Sequence, residues 1–158
     1  MKSNLISKSE TAKVLNQINL QWKIKIPKQK NLKFHHIDEN GIIITGDDIT
    51  AVKIADDILP FLDNISILEM FPNVMVDVGA IKFVCKGANV MRPGVTKFST
   101  FEKGQIVCVI EESQHKFLAV GKAEMSSEQI KEVDKGMVVK NLHYISDDYW
   151  EAKKELKH

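Results

Sequence analysis

In the first half of the chain the apolar positions change period twice. Ser7 and Glu10 stand three apart, the spacing of a capping box, and Ala12, Leu15 and Ile18 follow at helical intervals. This predicts a helix over about residues 8–20. Trp22, Ile24 and Ile26 then alternate with Lys23 and Lys25, a strand-like period that Pro27 ends or confines to a sheet edge. Leu32 to Ile37 and Ile42 to Thr45, the latter bracketed by Gly41 and Gly46, read as a pair of strands. Asp47-Asp48 is a turn and Ala51 to Ile54 a short strand. A helix over Ile58 to Met70, starting near Pro60, completes this half.

Phe71-Pro72-Asn73 reads as a joint. Two glycines precede it and six follow, at 79, 87, 94, 104, 121 and 136, which suits a second half of short strands and tight turns. The stretch VDVGAIKFVCKGANVMRPGV, Val76 to Val95, is its most structured signal. Asp77 stands where an N-terminal cap belongs, Gly79 permits a sharp turn, and Ala80 to Lys86 predicts a two-turn helix stopped by Gly87. Lys82 and Lys86 share its outer face, while Ile81, Val84 and Cys85 turn inward. Further on, Ile106 to Ile110 predicts a strand buried on both faces, and Phe117 to Val120 and Met137 to Val139 predict two more. Ser126 and Gln129 cap a short helix ending before Gly136. Ser146 is the expected cap of a last helix, with Asp147 and Asp148 in its first turn and Lys153, Lys154 and Lys157 in its last. The expected class is α+β: a small mixed N-terminal domain over residues 1–72 and a strand-rich domain over 73–158.

Composition adds limits. With 158 residues, 44% hydrophobic and 27% charged, the chain is an ordinary globular protein. No apolar run approaches the roughly 20 residues that span a bilayer, and the N-terminus lacks a secretory core, so no membrane partner and a cytoplasmic setting are expected. Cys85 and Cys108, without a CxxC partner, read as buried thiols. A net charge of +1 does not by itself suggest a polyanionic partner, so any such role must rest on local clustering.

The Val76–Val95 stretch also resembles the opening of a PUA domain, the RNA-binding module named after pseudouridine synthase and archaeosine transglycosylase. More narrowly it is similar to the malignant T-cell amplified sequence family and to the N-terminal half of ligatin-type initiation factors. AVGKAEMSSEQI (Ala119 to Ile130), the Lys135-Gly136 turn, and His143-Tyr144 followed by Asp147 and Trp150 extend the likeness in the expected order. The resemblance implies a β pseudobarrel with short helices in the second half. It also implies a non-catalytic RNA-binding protein of the translation apparatus, contacting a tRNA acceptor end or small-subunit ribosomal RNA, with a protein partner.

On that resemblance Gly79 and Ala80 would offer backbone amides and close approach. Lys82, Lys86 and Lys97 would pair with phosphates, and Arg92 would grip a phosphate or stack on a base. By composition alone, Lys82, Lys86, Arg92 and Lys97 read as a solvated face. His143 and Tyr144 read as core packing or, by resemblance, as lying near the RNA-facing edge, which makes His143 a further candidate. Trp150 is expected to anchor the last helix on the barrel. The lysines at 23, 25, 28, 30 and 33 read as a solvated strand edge or a second RNA contact. His35-His36 is no metal site, since neighbours on a strand point to opposite faces. No GxxxxGK[ST], GxGxxG, GxSxG or HExxH appears, so neither an enzyme nor a cofactor is expected. The other readings are an assembly subunit of an RNA-modifying complex and, third, a stand-alone RNA enzyme.

Overall fold

The computed structural model describes residues 1–39 and 41–156; Lys157, expected in the last helical turn, lies outside the described residues. The chain begins with strand β1 (Lys2–Leu5), and Ser7 then caps helix α1 (Lys8–Trp22) by accepting the Glu10 amide at 3.1 Å. Thr11, Ile18 and Trp22 form the buried stripe of α1. The helix runs past residue 20 because the Trp22 indole is wholly buried and donates to the Ile58 carbonyl at 2.7 Å. Trp22 therefore follows Ile18 at helical spacing, and Lys23, in the left-handed region at φ 56°, ends the helix. No strand forms over residues 22–26. Ile24 and Ile26 instead pack into the core from an irregular segment.

Strands β2 (Lys33–His36), β3 (Gly41–Thr45), β4 (Thr50–Ile54) and β5 (Asp57–Pro60) complete an antiparallel sheet in the order β1-β2-β3-β4-β5. Ile58 to Leu62 is an unbroken apolar run whose periodicity cannot separate strand from helix. Pairing decides for strand over Asp57–Pro60, and Pro60, which has no N–H to donate, sits on the outer strand. The helix expected over Ile58 to Met70 is thus a strand followed by the single turn α2 (Ile65–Leu68).

Beyond the joint, β6 (Asn73–Val76), α3 (Ile81–Val84), β7 (Val90–Met91), β8 (Val95–Phe98), β9 (Ile106–Glu111), β10 (Phe117–Ala123), α4 (Ser127–Glu132), β11 (Met137–Tyr144) and α5 (Asp148–Lys153) follow. Six strands order as β7-β11-β10-β9-β6-β8, with β6 and β9 parallel. The two outermost strands, β7 and β8, are joined by the three-residue turn Arg92–Gly94, so the sheet curls round on itself into a nearly closed barrel. Where β10 meets β11 a bulge falls at Val120/Gly121, and a Cβ on Gly121 would lie 2.0 Å from the Lys140 carbonyl oxygen. Only glycine permits that approach. Ser126 and Gln129 form the expected capping box of α4. Asp147, not Ser146, caps α5: Asp147 accepts the Trp150 amide at 2.7 Å, whereas Ser146 has φ 77°.

β9 is buried along its whole length. Its side chains alternate, with Val107 and Val109 filling the barrel and Ile106 and Cys108 facing a larger core built on Trp22, Phe61, Leu68 and Phe71. One strand is therefore a wall common to both cores. Trp22 and Phe71 meet edge to face at 5.4 Å, and the Cys108 amide donates to the Pro72 carbonyl at 2.9 Å. The ion pair Lys122–Asp57 ties β10 to β5, and Lys153–Asp63 ties α5 to the loop after β5.

Candidate nucleic-acid interface

The Asp77 side chain sets the geometry of the site. Its amide donates to the Gly94 carbonyl at 3.2 Å, and its Oδ1 accepts the Ala80 amide at 3.1 Å. The chain from Val78 to Ala80 is thereby folded into a 3-10 turn that runs into α3, one turn long where two were expected. Gly87, at φ 96°, ends it, and a side chain there would press on the Tyr144 ring at 3.1 Å. Asn141 on β11 donates to the Val84 and Ala88 carbonyls at 3.1 and 3.0 Å, and Ser146 donates to the Cys85 carbonyl at 3.2 Å. These donors satisfy carbonyls that a helix end leaves open. So short a helix would not persist alone, and its order comes from this clamping.

Val84 is buried and Ile81 and Cys85 are half-buried, as the inward positions require. Burial raises the Cys85 thiol above its ordinary pKa, which disfavours a thiolate. On the outer arc stand Lys82 and Lys86, both exposed, and between them Phe83, 55% exposed. The Lys82 ammonium lies 5.2 Å from the Phe83 ring centroid, a cation–π contact. Val78 and Met91 are also exposed, and a shallow cavity of about 280 Å³ opens beside Phe83, Ala88, Asn89 and Met91. Sequence reasoning missed this apolar element. A signal exists in the spacing: Phe83 lies on the same arc as Lys86, three residues on, away from Ile81 and Val84.

Gly79, Ala80, Lys82 and Lys86 therefore come together on one projection, and Gly79 is exposed at its start. The Ala80 amide, however, is engaged by Asp77 and is not open to a ligand. Lys97 is exposed on β8, opposite Met75 of β6. Arg92 sits elsewhere than expected, and His143 takes the core position that was one of its two readings. Arg92 is half-buried, and its Nε donates to the Ile130 and Val133 carbonyls at 2.9 and 3.0 Å while Nη1 donates to the Val95 carbonyl at 3.4 Å. Its guanidinium neutralises the C-terminal end of α4, because carbonyls there lack helical partners. His143 is wholly buried between the sheets: its Nε2 accepts the Leu62 amide at 3.2 Å and its Nδ1 meets Asp147 at 2.8 Å. Tyr144 is half-buried against Gly87. Trp150 stacks on Phe61 at 6.1 Å and thus anchors α5 against the N-terminal half as well. Among the described residues, no helix is long and apolar enough to cross a membrane.

The PUA domain family model matches residues 72–145. Translation machinery-associated protein 20 of Saccharomyces cerevisiae is 33% identical over 134 residues, 79% of this chain and 74% of its own. The chain belongs to that PUA-domain family. A human relative, malignant T-cell-amplified sequence 2, is 39% identical over 102 residues, covering 60% of this chain and 56% of its own. Among solved structures, a Pyrococcus horikoshii protein superposes with a TM-score of 0.78 at 26% identity, over 96% of this chain and 99% of its own. An H/ACA ribonucleoprotein bound to a substrate RNA contains a chain that matches 60% of this one and 29% of its own, at TM-score 0.50 and 26% identity. The Pyrococcus horikoshii protein thus shares the whole two-sheet architecture, whereas the ribonucleoprotein chain shares only a part of it.

Proposed function

We propose that this PUA-family chain is a non-catalytic RNA-binding protein of the translation apparatus, which holds a tRNA acceptor end or small-subunit ribosomal RNA on the projection formed by α3. The observation that carries this is the placement of Lys82, Phe83 and Lys86 on the outer arc of a clamped helix turn. Lysine ammonium groups pair with phosphates and so position the RNA without reading its sequence. An exposed phenylalanine between them offers a face on which an unpaired base stacks, which suits a single-stranded end beside a stem. Gly79 lets the backbone of the ligand come close.

The buried polar groups speak against catalysis. His143 and Asp147 resemble a catalytic pair, yet the His143 ring has both nitrogens occupied inside the fold. No lone pair remains with which to take a proton from a substrate. The likeness to the H/ACA complex supports a second reading, an assembly subunit of an RNA-modifying complex. Similarity over most of a translation machinery-associated protein favours the first.

Binding of a labelled tRNA transcript, titrated with salt, tests the site. Lys82→Glu with Lys86→Glu should weaken binding by orders of magnitude at low salt. The slope of log K against log salt should fall by roughly 0.7 to 0.9 for each phosphate no longer neutralised. Phe83→Ala should cost about 1–3 kcal/mol of binding with an unchanged slope. Unaltered affinity in both variants refutes the site. Recovery of ribosomal subunits or of a modification enzyme in a pull-down separates the two readings.

A further inference from the structure

The segment Lys23 to Lys33 holds five lysines and no acid in a protein whose net charge is only +1. All five lysines are exposed, and none has an ion pair among the described residues. The acids of the neighbouring turn, Asp47 and Asp48, are exposed as well. Such a run would be expected to fray, since like charges repel and residues 24–32 form no helix or strand.

Instead it is pinned. Ile24 and Ile26 pack on the core, and Leu32 is wholly buried. The Leu32 amide donates to Thr11 Oγ1 at 3.3 Å, and its carbonyl accepts the Ile6 amide at 3.0 Å. Gln29 is buried and donates to the Pro27 and Lys28 carbonyls at 3.0 and 3.2 Å, while its Oε1 accepts the Asp48 amide at 3.1 Å. A Cβ on Gly46 would fall 2.3 Å from that oxygen, so Gly46 keeps the space that Gln29 fills. Apolar and amide side chains thus point in at 24, 26, 29 and 32, and ammonium groups point out at 23, 25, 28, 30 and 33. Burial first, then Lys33 of this segment together with Lys153 and His36, holds the His35 ring below its ordinary pKa.

We infer that this segment is a second RNA-binding surface, a preformed track of cations for a phosphate backbone, separate from the α3 projection. Lysines rather than arginines suit point contacts to phosphates without base readout. Ile24, Ile26 and Leu32 are turned to the core and only Pro27 is an exposed apolar side chain, so the segment has little to insert into a bilayer, and RNA is the polyanion that fits. The inference rests on the RNA-binding reading above and adds a contact on another face of the same protein.

The test uses the full chain, a fluorescein-labelled tRNA transcript and a salt titration. Lys25→Glu, Lys28→Glu and Lys30→Glu together should weaken binding at least tenfold at low salt. They should lower the salt slope by about 2–3, at 0.7 to 0.9 for each phosphate set free. Melting temperature should not change. The control reverses Lys103, Lys131 and Lys154, also exposed, and should change binding much less. A wild-type slope in the segment variant while Lys82→Glu/Lys86→Glu loses affinity overturns the second surface and leaves the first reading standing. Weaker binding by the segment variant with wild-type behaviour of Lys82→Glu/Lys86→Glu supports the track and sinks the α3 site. An equal drop in the control, or a segment variant that stops sedimenting with phosphatidylserine vesicles while RNA binding persists, also overturns it.

Discussion

A histidine with no access to solvent bridges the two halves of the chain. The Leu62 amide needs an acceptor and the Asp147 carboxylate a donor, and the neutral His143 ring protonated on Nδ1 supplies both. Asp147 also accepts the Tyr144 and Trp150 amides. His143→Ala should therefore strand the Leu62 amide and remove one of the three donors to Asp147, and it leaves a void beside Phe61, whose ring centroid is 4.7 Å from that of His143. About 3 kcal/mol of stability should be lost, measurable by urea unfolding, with tRNA affinity of the folded protein unchanged. Glu111 is a different case. Its carboxylate accepts the Ser113 hydroxyl and the Ser113, Gln114 and Lys116 amides, led by the hydroxyl at 2.6 Å, and is held down at about 2 from an ordinary 4.5. A depressed folded value means stability that is complete above 4.5 and lost as pH falls toward about 2. Glu111→Gln should flatten stability against pH in that window, and an unchanged acid limb would show that other carboxylates control it.

At the scale of elements, local signals were legible and distant partners were not. The cap at Ser7, the capping box at Ser126, the glycine stop at Gly87 and the doubly buried run of β9 all depend on residues within a few positions of one another. Trp22 and Ile58 to Leu62 mislead because alternation and unbroken apolar runs fit more than one element, and the pairing that decides is tertiary. Arg92 reads as a surface candidate, and His143 reads as core packing or as a residue of the RNA-facing edge, because their partners lie 38 and 81 residues away. The lysines of α3 were legible as a cationic face, whereas the aromatic between them escapes a reading by charge. Arg92 belongs to the seam between the β7–β8 turn and α4. Arg92→Ala should lower stability by about 1–3 kcal/mol and leave the salt slope of tRNA binding as it was. A slope reduced by the value of one phosphate contact would return Arg92 to the RNA surface.

For the whole molecule, the joint at residues 72 and 73 separates the sheets without separating the cores. Ile106, Cys108 and Val120 of the barrel pack with Trp22, Phe61 and Leu68, and the ion pairs Lys122–Asp57 and Lys153–Asp63 join the two halves. We propose that the two halves are domains by topology but one unit in folding. Tryptophan fluorescence and far-ultraviolet circular dichroism should follow a single, coincident urea transition. Two separated transitions would mean that the shared wall contributes little.

That wall has a mechanical meaning. A strand packed on both sides joins the half bearing Lys82 and Lys86 to the half bearing Lys25 to Lys30. With RNA on both proposed surfaces, such a molecule would act as a caliper with jaws at a set opening, favouring polyanions by the spacing of their phosphate rails.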